Sequence, residues 1–280
     1  MELKHIAKRD GRLSSFLREE MKMSAGLVNR MKWQGKIFVN GRPEHNDFQV
    51  KTGDVISVPL DEEEPEYPAE EGELSILYED AYLLVVDKPA GMLIHPSHSK
   101  LTGTLANYVL GYYQKTGQKS AFHPLTRLDR DTFGIILLTK NAHIHAILQA
   151  SPVEKIYHAL VLGGPEGDTG VIDAPIARKP LPSLLREVRS DGKPCRTEYR
   201  VLDRWAEYSK LELKPITGRT HQLRVHCAHC GFPILGDPQY GAEAAAFGLA
   251  GQMLCAKRLT FFHPVTGEQM VIESKMEAAL

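Results

Sequence analysis

His123-Pro-Leu-Thr-Arg-Leu-Asp-Arg-Asp-Thr-Phe-Gly134 runs without a break into Ile135-Ile-Leu-Leu-Thr139. Two arginines and two aspartates crowd one leucine between Pro124 and Gly134, and an apolar, β-branched run follows. Such a run reads as a buried strand. The charged loop is therefore pinned to the sheet it feeds, and loops held by a rigid scaffold are where catalytic groups tend to sit. On residues alone, Arg127, Asp129, Arg130 and Asp131 could equally form a salt-bridged surface turn.

The 280 residues are enough for one large domain and a small one. No stretch of about 18 apolar residues exists that could cross a membrane. The N-terminus, Met1-Glu-Leu-Lys-His-Ile-Ala-Lys-Arg-Asp10, lacks the apolar run of a secretory leader, so a cytoplasmic protein is expected. The four cysteines then read as reduced thiols. Net charge is −1, but ten acidic residues and no Lys or Arg lie between Asp61 and Asp80. Outside that block 34 Lys and Arg face 25 Asp and Glu, a balance that suits contact with phosphates.

Along the chain, Leu13, Phe16 and Leu17 are spaced as on a helix, and Ser24 is placed to cap a second helix carrying Leu27, Val28 and Met31. Val39-Asn40-Gly41 predicts a hairpin turn, and Gly53-Asp54 a turn into the strand ending at Val58. Residues 59–73 are acidic and proline-rich and read as a linker that lets the first unit swing. Tyr82-Leu-Leu-Val-Val-Asp87 predicts a central strand, and a helix capped near Thr102 should follow. Alternation through Glu154-Lys-Ile-Tyr-His-Ala-Leu-Val-Leu162 sets Tyr157 on the face opposite Ile156 and His158. Residues 164–192 read as a long excursion or hairpin. Cys227-Ala-His-Cys230, with His221, His226 and His229 nearby, admits a zinc reading, but no second Cys-x-x-Cys pair completes a site. No Gly-rich nucleotide-binding motif is present.

Four stretches in order carry a resemblance. Arg127-Leu-Asp-Arg-Asp-Thr-Phe-Gly134 resembles the His-Arg-Leu-Asp-x-x-Thr-Ser/Thr-Gly motif of RluA-type pseudouridine synthases. Lys88-Pro-Ala-Gly with His95-Pro96, Lys155-Ile-Tyr-His-Ala-Leu-Val161, and Thr217-Gly-Arg-Thr-His-Gln-Leu-Arg-Val-His226 resemble three further family motifs. The first unit resembles the αL RNA-binding module through Arg12-Leu13, Ser24, Gly35, Val39-Asn40-Gly41 and Gly53-Asp54.

The resemblance implies an α+β protein. An αL-type RNA-binding domain (1–58) and an acidic linker (59–73) would precede a catalytic domain (74–280) with a mixed, largely antiparallel central sheet. It implies isomerisation of uridine to pseudouridine in structured RNA, ribosomal RNA before transfer RNA, by a cytoplasmic monomer with no metal or other cofactor. It makes Asp129 the catalytic carboxylate, Arg224 its guanidinium partner and Tyr157 the ring that stacks on uracil. Arg127 would fill the space vacated by a flipped base. Lys88, His95, Arg219, His221 and Gln222 would line the substrate groove, and Arg12, Arg18, Arg30, Lys32 and Lys36 would face RNA. Asp131 is expected to brace the turn. Thr126 stands in place of the family histidine and is expected to lose a hydrogen bond near the RNA backbone, and Phe133 adds apolar bulk. The rival readings are a non-catalytic RNA-binding or ribosome-assembly factor and a metal-dependent RNA hydrolase.

Overall fold

The computed structural model describes residues 2–61, 64–97, 100–241 and 248–279. Its organising element is a mixed sheet of ten strands. Leu83–Lys88 and Phe133–Thr139 lie side by side near one end, antiparallel, with Gly134 opposite Lys88 and Leu137 opposite Val85. Every residue of both strands is buried, which explains their unbroken apolar runs. Successive side chains point to opposite faces, so the two strands supply two cores. Leu84, Val86, Ile136 and Leu138 pack on the helix Leu105–Lys115 through Leu105, Val109, Leu110 and Tyr113. Leu83, Val85, Ile135 and Leu137 pack on Ile144 and Leu148 of the helix Ala142–Gln149. Each such fully buried aliphatic side chain contributes about 1.5–3 kcal/mol.

The sheet runs in the order 169–173, 196–204, 208–215, 154–162, 254–262, 133–139, 83–88, 75–79. Among the described residues one of its pairings is parallel, Phe133 and Gly134 against Cys255 and Ala256. The strands are antiparallel elsewhere. The parallel contact is short because the chain arrives there from the Asp129 loop. Gly134 is required at that point: its φ is +103°, and a Cβ would stand 2.4 Å from the Ala256 carbonyl oxygen.

Residues 2–59 form a four-stranded sheet ordered 2–6, 55–59, 38–39, 42–43, with helical segments beside it. Ser24 caps the helix Ala25–Trp33 by accepting from the Leu27 N–H at 3.2 Å. The expected first helix is a short α turn, Leu13–Ser15, widened into the π-helical Phe16–Glu20. The two turn signals clasp one another. Asn40, left-handed at φ 51°, donates to Asp54 at 2.8 Å and accepts from the Val55 N–H at 2.9 Å. The apolar side of this unit joins the core on Leu83, Val85, Ile135 and Leu137.

Two local expectations change. The helix after the Lys88 loop is capped by Thr104, in a reciprocal box with Asn107, and not near Thr102. The stretch 59–73 is fastened and does not hang as a free tether. Asp61 pairs with Lys36 at 2.7 Å and Arg30 at 3.4 Å. Asn107 donates to the Pro68 carbonyl at 2.9 Å, and Glu70 accepts from the Gly103 N–H at 2.6 Å. The Glu70 backbone crosses the helix at Gly111, where a Cβ would lie 2.0 Å from its carbonyl oxygen. Two of the acidic residues, Glu62 and Glu63, lie outside the described residues. Among those residues no helix is long and apolar enough to cross a membrane.

Asp80 ties the edge of the sheet to the segment after its central strand. Burial works against its charge. The His263 ring at 2.8 Å and the Tyr82 and Leu83 N–H groups, both at 2.7 Å, outweigh that and hold the carboxyl down at about 2. A depressed carboxyl stabilises the fold above its unfolded pKa, and that contribution is lost as pH falls through the folded value. Asp80→Ala is therefore expected to lower stability by about 2 kcal/mol at neutral pH. Urea unfolding should show the gap closing toward pH 2; a gap independent of pH would contradict this.

Candidate active site

Asp129 sits in the loop that feeds Phe133–Thr139. Leu128 anchors one side of the loop in the core under the helix Leu105–Lys115, and Leu125 anchors the other side in the opposite core. The Thr126 hydroxyl accepts from the Leu137 N–H at 3.0 Å and is buried, and the Leu125 N–H donates to the Leu137 carbonyl at 2.8 Å. Thr126 thus closes the loop onto its own strand. Asp131 takes both oxygens' worth of hydrogen bonds from Arg130, each at 2.8 Å, and braces the turn. Phe133 points into a small core with Leu160, Leu235, Cys255 and Ala278.

Lys88 also corrects an expectation. It is 0% exposed, and its ammonium donates to the carbonyls of Pro89 (2.9 Å), Met92 (2.9 Å) and Arg130 (2.8 Å). Burial draws its pKa down to about 8, with the charges of Asp131 and Asp129 opposing that shift. Lys88 therefore holds the loop backbone from below, with its ammonium committed to three carbonyls.

The partner of Asp129 comes from the helix Gln222–His229. Leu223 and Cys227 fix one face of this helix in a core with Phe232, Leu211 and Leu213. Arg224 then projects from its first turn toward the loop. One guanidinium nitrogen, Nη1, donates to Asp129 Oδ2 at 2.8 Å. The other two make a fork on Asp237, Nε to Oδ2 at 2.7 Å and Nη2 to Oδ1 at 2.8 Å. Nη2 also reaches Gln239 Oε1 at 2.9 Å, and the Tyr240 ring lies 5.0 Å from Cζ. Burial disfavours the charge on Arg224, but the two carboxylates raise its pKa beyond the usual arginine value. The forked geometry fixes the guanidinium plane, which a single contact would not do.

The Asp237 side chain is 0% exposed, that of Arg224 4%, and that of Asp129 30%. Charge is thus delivered from the interior to one carboxylate that meets the cleft. Asp129 Oδ1 makes no hydrogen bond among the described residues; the nearest cationic candidate is His221 Nε2 at 3.8 Å. That imidazole is held by Tyr240 Oη at 2.9 Å, on a left-handed backbone with φ 57°. Burial lowers its pKa. A carboxylate with one oxygen clamped and one free can attack an electrophilic carbon or accept a proton.

The cleft encloses about 660 Å³, and Asp129 shares it with Tyr157, His95, Arg127, Lys155, Arg219 and His221. Burial, with the Asp129 charge behind it, raises the Tyr157 pKa, so the phenol is neutral and presents its ring. His158 points the other way, to Glu277 at 2.8 Å, as alternation requires. Arg127 and Arg219 are exposed at the cleft. Gln222 also lines the cleft. Its amide is buried and already occupied, donating to the Arg196 carbonyl and Thr197 and accepting from Thr217 and the Arg219 N–H. It shapes the loop and has no polar group left for a substrate.

The zinc reading finds no donor set. His226 has both ring nitrogens in hydrogen bonds, to Thr197 and the Ala174 carbonyl, and Cys227 is buried in the core. Among the described residues no three His, Cys, Asp or Glu groups converge to hold a metal ion. In the N-terminal unit Arg12, Arg18, Arg30 and Lys32 are exposed, and Arg30 and Lys36 pair with Asp61. The sequence reading passed over Asp237, Gln239 and Tyr240. The one available signal was a lone acid closing Gly231-Phe-Pro-Ile-Leu-Gly-Asp237, flanked by apolar residues that imply burial.

Comparison with known proteins gives a consistent set of relatives. The family profile described as RNA pseudouridylate synthase matches residues 82–229. An uncharacterised RNA pseudouridine synthase of Chloroflexus aurantiacus is 39% identical over 277 residues, covering 96% of this chain and 87% of the relative. The ribosomal large subunit pseudouridine synthase C of Vibrio cholerae is 32% identical, covering 96% and 90%. Among solved structures, human RNA pseudouridylate synthase domain containing 1 superposes with a TM-score of 0.62 at 28% identity, covering 75% of this chain and 86% of that one.

Removing Asp237 leaves a buried guanidinium with half its partners. Asp237→Ala is expected to cost about 3–5 kcal/mol, the penalty for breaking a buried pair from one side. Chemical denaturation measures it; a loss below about 1 kcal/mol, the range of an exposed pair, would show that the clamp carries little.

Proposed function

The chain belongs to the RNA pseudouridylate synthase family, and from that premise we propose that it isomerises uridines of large-subunit ribosomal RNA, with Asp129 as the catalytic carboxylate. The substrate assignment follows the name of the Vibrio cholerae relative; transfer RNA is the alternative. The observation that carries the site reading is the clamped Asp129 with its second oxygen turned to a cleft that also holds Tyr157.

The reaction breaks the bond between ribose C1′ and uracil N1 and rejoins the base through C5. It is a net isomerisation, with no redox change. Asp129 either adds to C1′ as the base departs or takes the C2′ proton, and returns what it took when C5 bonds to C1′. Arg224 positions that carboxylate and spreads its charge. The neutral Tyr157 ring supports a stacked uracil, and the C5 proton is finally lost while N1 gains one. The uridine must leave its helix to reach the cleft, and exposed Arg127 is suited to fill the gap. We assign RNA binding to residues 1–58 through Arg12, Arg18 and Lys32, and catalysis to residues 74–280. Arg30 and Lys36 would join once Asp61 releases them. A cytoplasmic monomer fits this reading.

Release of tritium from RNA labelled at uracil C5 tests the assignment. Asp129→Asn should lose roughly 10³-fold or more in turnover, within the range of a lost acid–base or nucleophilic group, and still bind RNA. Asp131→Asn should keep turnover and lose about 1–3 kcal/mol of stability. Wild-type turnover by Asp129→Asn would overturn the reading.

A further inference from the structure

Lys155 lines the same cleft as Asp129 and Tyr157, and no role has yet been found for it. It precedes Tyr157 by two positions on the strand Glu154–Leu162, so both side chains leave the same face. The neighbouring strand bulges here: Ile156 opposes Arg258 and Tyr157 opposes Ala256. The extra residue, Lys257, belongs to that neighbour, so alternation along 154–162 is unbroken. Lys257 and Lys210 on the far face are both committed to Glu277. Lys155 is partly buried and has no ion pair or hydrogen bond among the described residues. Asp129 is the one carboxylate among the residues lining this cleft, and Arg224 already holds it. Burial alone pulls the Lys155 pKa down. A partly buried ammonium without a counter-charge is costly unless a ligand supplies one.

The isomerisation creates such a charge, and only in passing. When C1′–N1 breaks, the bonding electron pair leaves with N1 and spreads over the uracil carbonyl oxygens O2 and O4. We infer that Lys155 is a catalytic residue that donates a hydrogen bond to a carbonyl oxygen of the detached uracil and stabilises its negative charge. Tyr157 supports the face of the ring, and Lys155, on the same side of the strand, meets its edge. When C5 bonds to C1′ the electron pair enters that bond and the negative charge is back on the Asp129 carboxylate, so Lys155 gives up no proton overall. A backbone phosphate is the other source of anionic oxygen. Exposed Arg127 and Arg219 suit that role better, because phosphates stay near solvent and carry the same charge throughout the reaction. The inference rests on the function proposed above.

Single-turnover rates at saturating RNA, with RNA affinity measured in parallel, test it. Lys155→Met should slow the reaction roughly 10²-fold, the usual loss for one preorganised donor to a developing anion. RNA affinity should stay within about twofold, and Lys155→Arg should recover part of the rate. RNA carrying 5-fluorouridine at the target forms a more stable uracil anion, so conversion to its rearranged product should show a smaller Lys155→Met deficit. Unchanged affinity and unchanged circular dichroism would rule out misfolding as the cause of the slow rate. A Lys155→Met protein that keeps its saturated rate overturns the inference. In that case weaker binding and a salt slope shallower by about one would assign Lys155 to a phosphate instead. A wild-type protein that converts no uridine in ribosomal or transfer RNA overturns the function reading first, and this inference with it.

Discussion

The structure depends on a guanidinium that cannot turn. Arg224 donates a fork of two hydrogen bonds to Asp237, whose carboxylate is sealed in the interior, and a third to Gln239. Only its remaining nitrogen faces Asp129. A flexible ammonium would follow the carboxylate wherever it moved; a locked planar fork dictates where the carboxylate must be. The chain of charges thus converts interior packing into the position of one oxygen at the edge of a cleft.

Two structural units have to meet for that to happen. The Asp129 loop is set by the sheet, through the Thr126–Leu137 hydrogen bond, the Lys88 ammonium on the Arg130 carbonyl, and the close parallel pairing that Gly134 permits. The Arg224 helix is set by a separate core around Leu223, Cys227 and Phe232. The central strand Leu254–Phe262 connects them, pairing with Phe133–Gly134 on one side and with the Tyr157 strand on the other. Carboxylate, guanidinium and aromatic ring therefore come from sequence positions far apart: a loop that feeds the sheet, a helix packed on it and one of its strands. Relatives such as the Chloroflexus aurantiacus protein align over nearly all of this arrangement.

Much of the fold could be read from period and punctuation. The doubly buried runs at 83–88 and 133–139, the Ser24 cap and the Asn40-Gly41 turn are local signals that tertiary packing did not override. Alternation alone separated Tyr157 from His158. Less legible was whether a polar group's own donors and acceptors are already taken. Lys88, Gln222 and Thr126 stand in the motifs that resemble the family's, yet each is buried with its hydrogen bonds taken by the protein itself. Sequence shows that a polar residue is present; only three-dimensional partners show whether its donors are already occupied. The same limit hid Asp237 and left Lys155 a motif residue without a role. The acidic stretch 59–73 has the composition of a free linker, but Asn107 of the helix beneath it donates to the Pro68 carbonyl and the Glu70 carboxylate accepts from the Gly103 N–H.

The shape of the Arg224 guanidinium, and not merely its charge, aligns Asp129. The turnover of Arg224→Lys measures that directly. Lysine keeps the positive charge but cannot fork Asp237 while holding Asp129. A folded protein that binds RNA normally and turns over roughly 10²-fold more slowly is the expected outcome, as when a reacting group is misplaced by about 1 Å. An Arg224→Lys protein that works at the wild-type rate would contradict it.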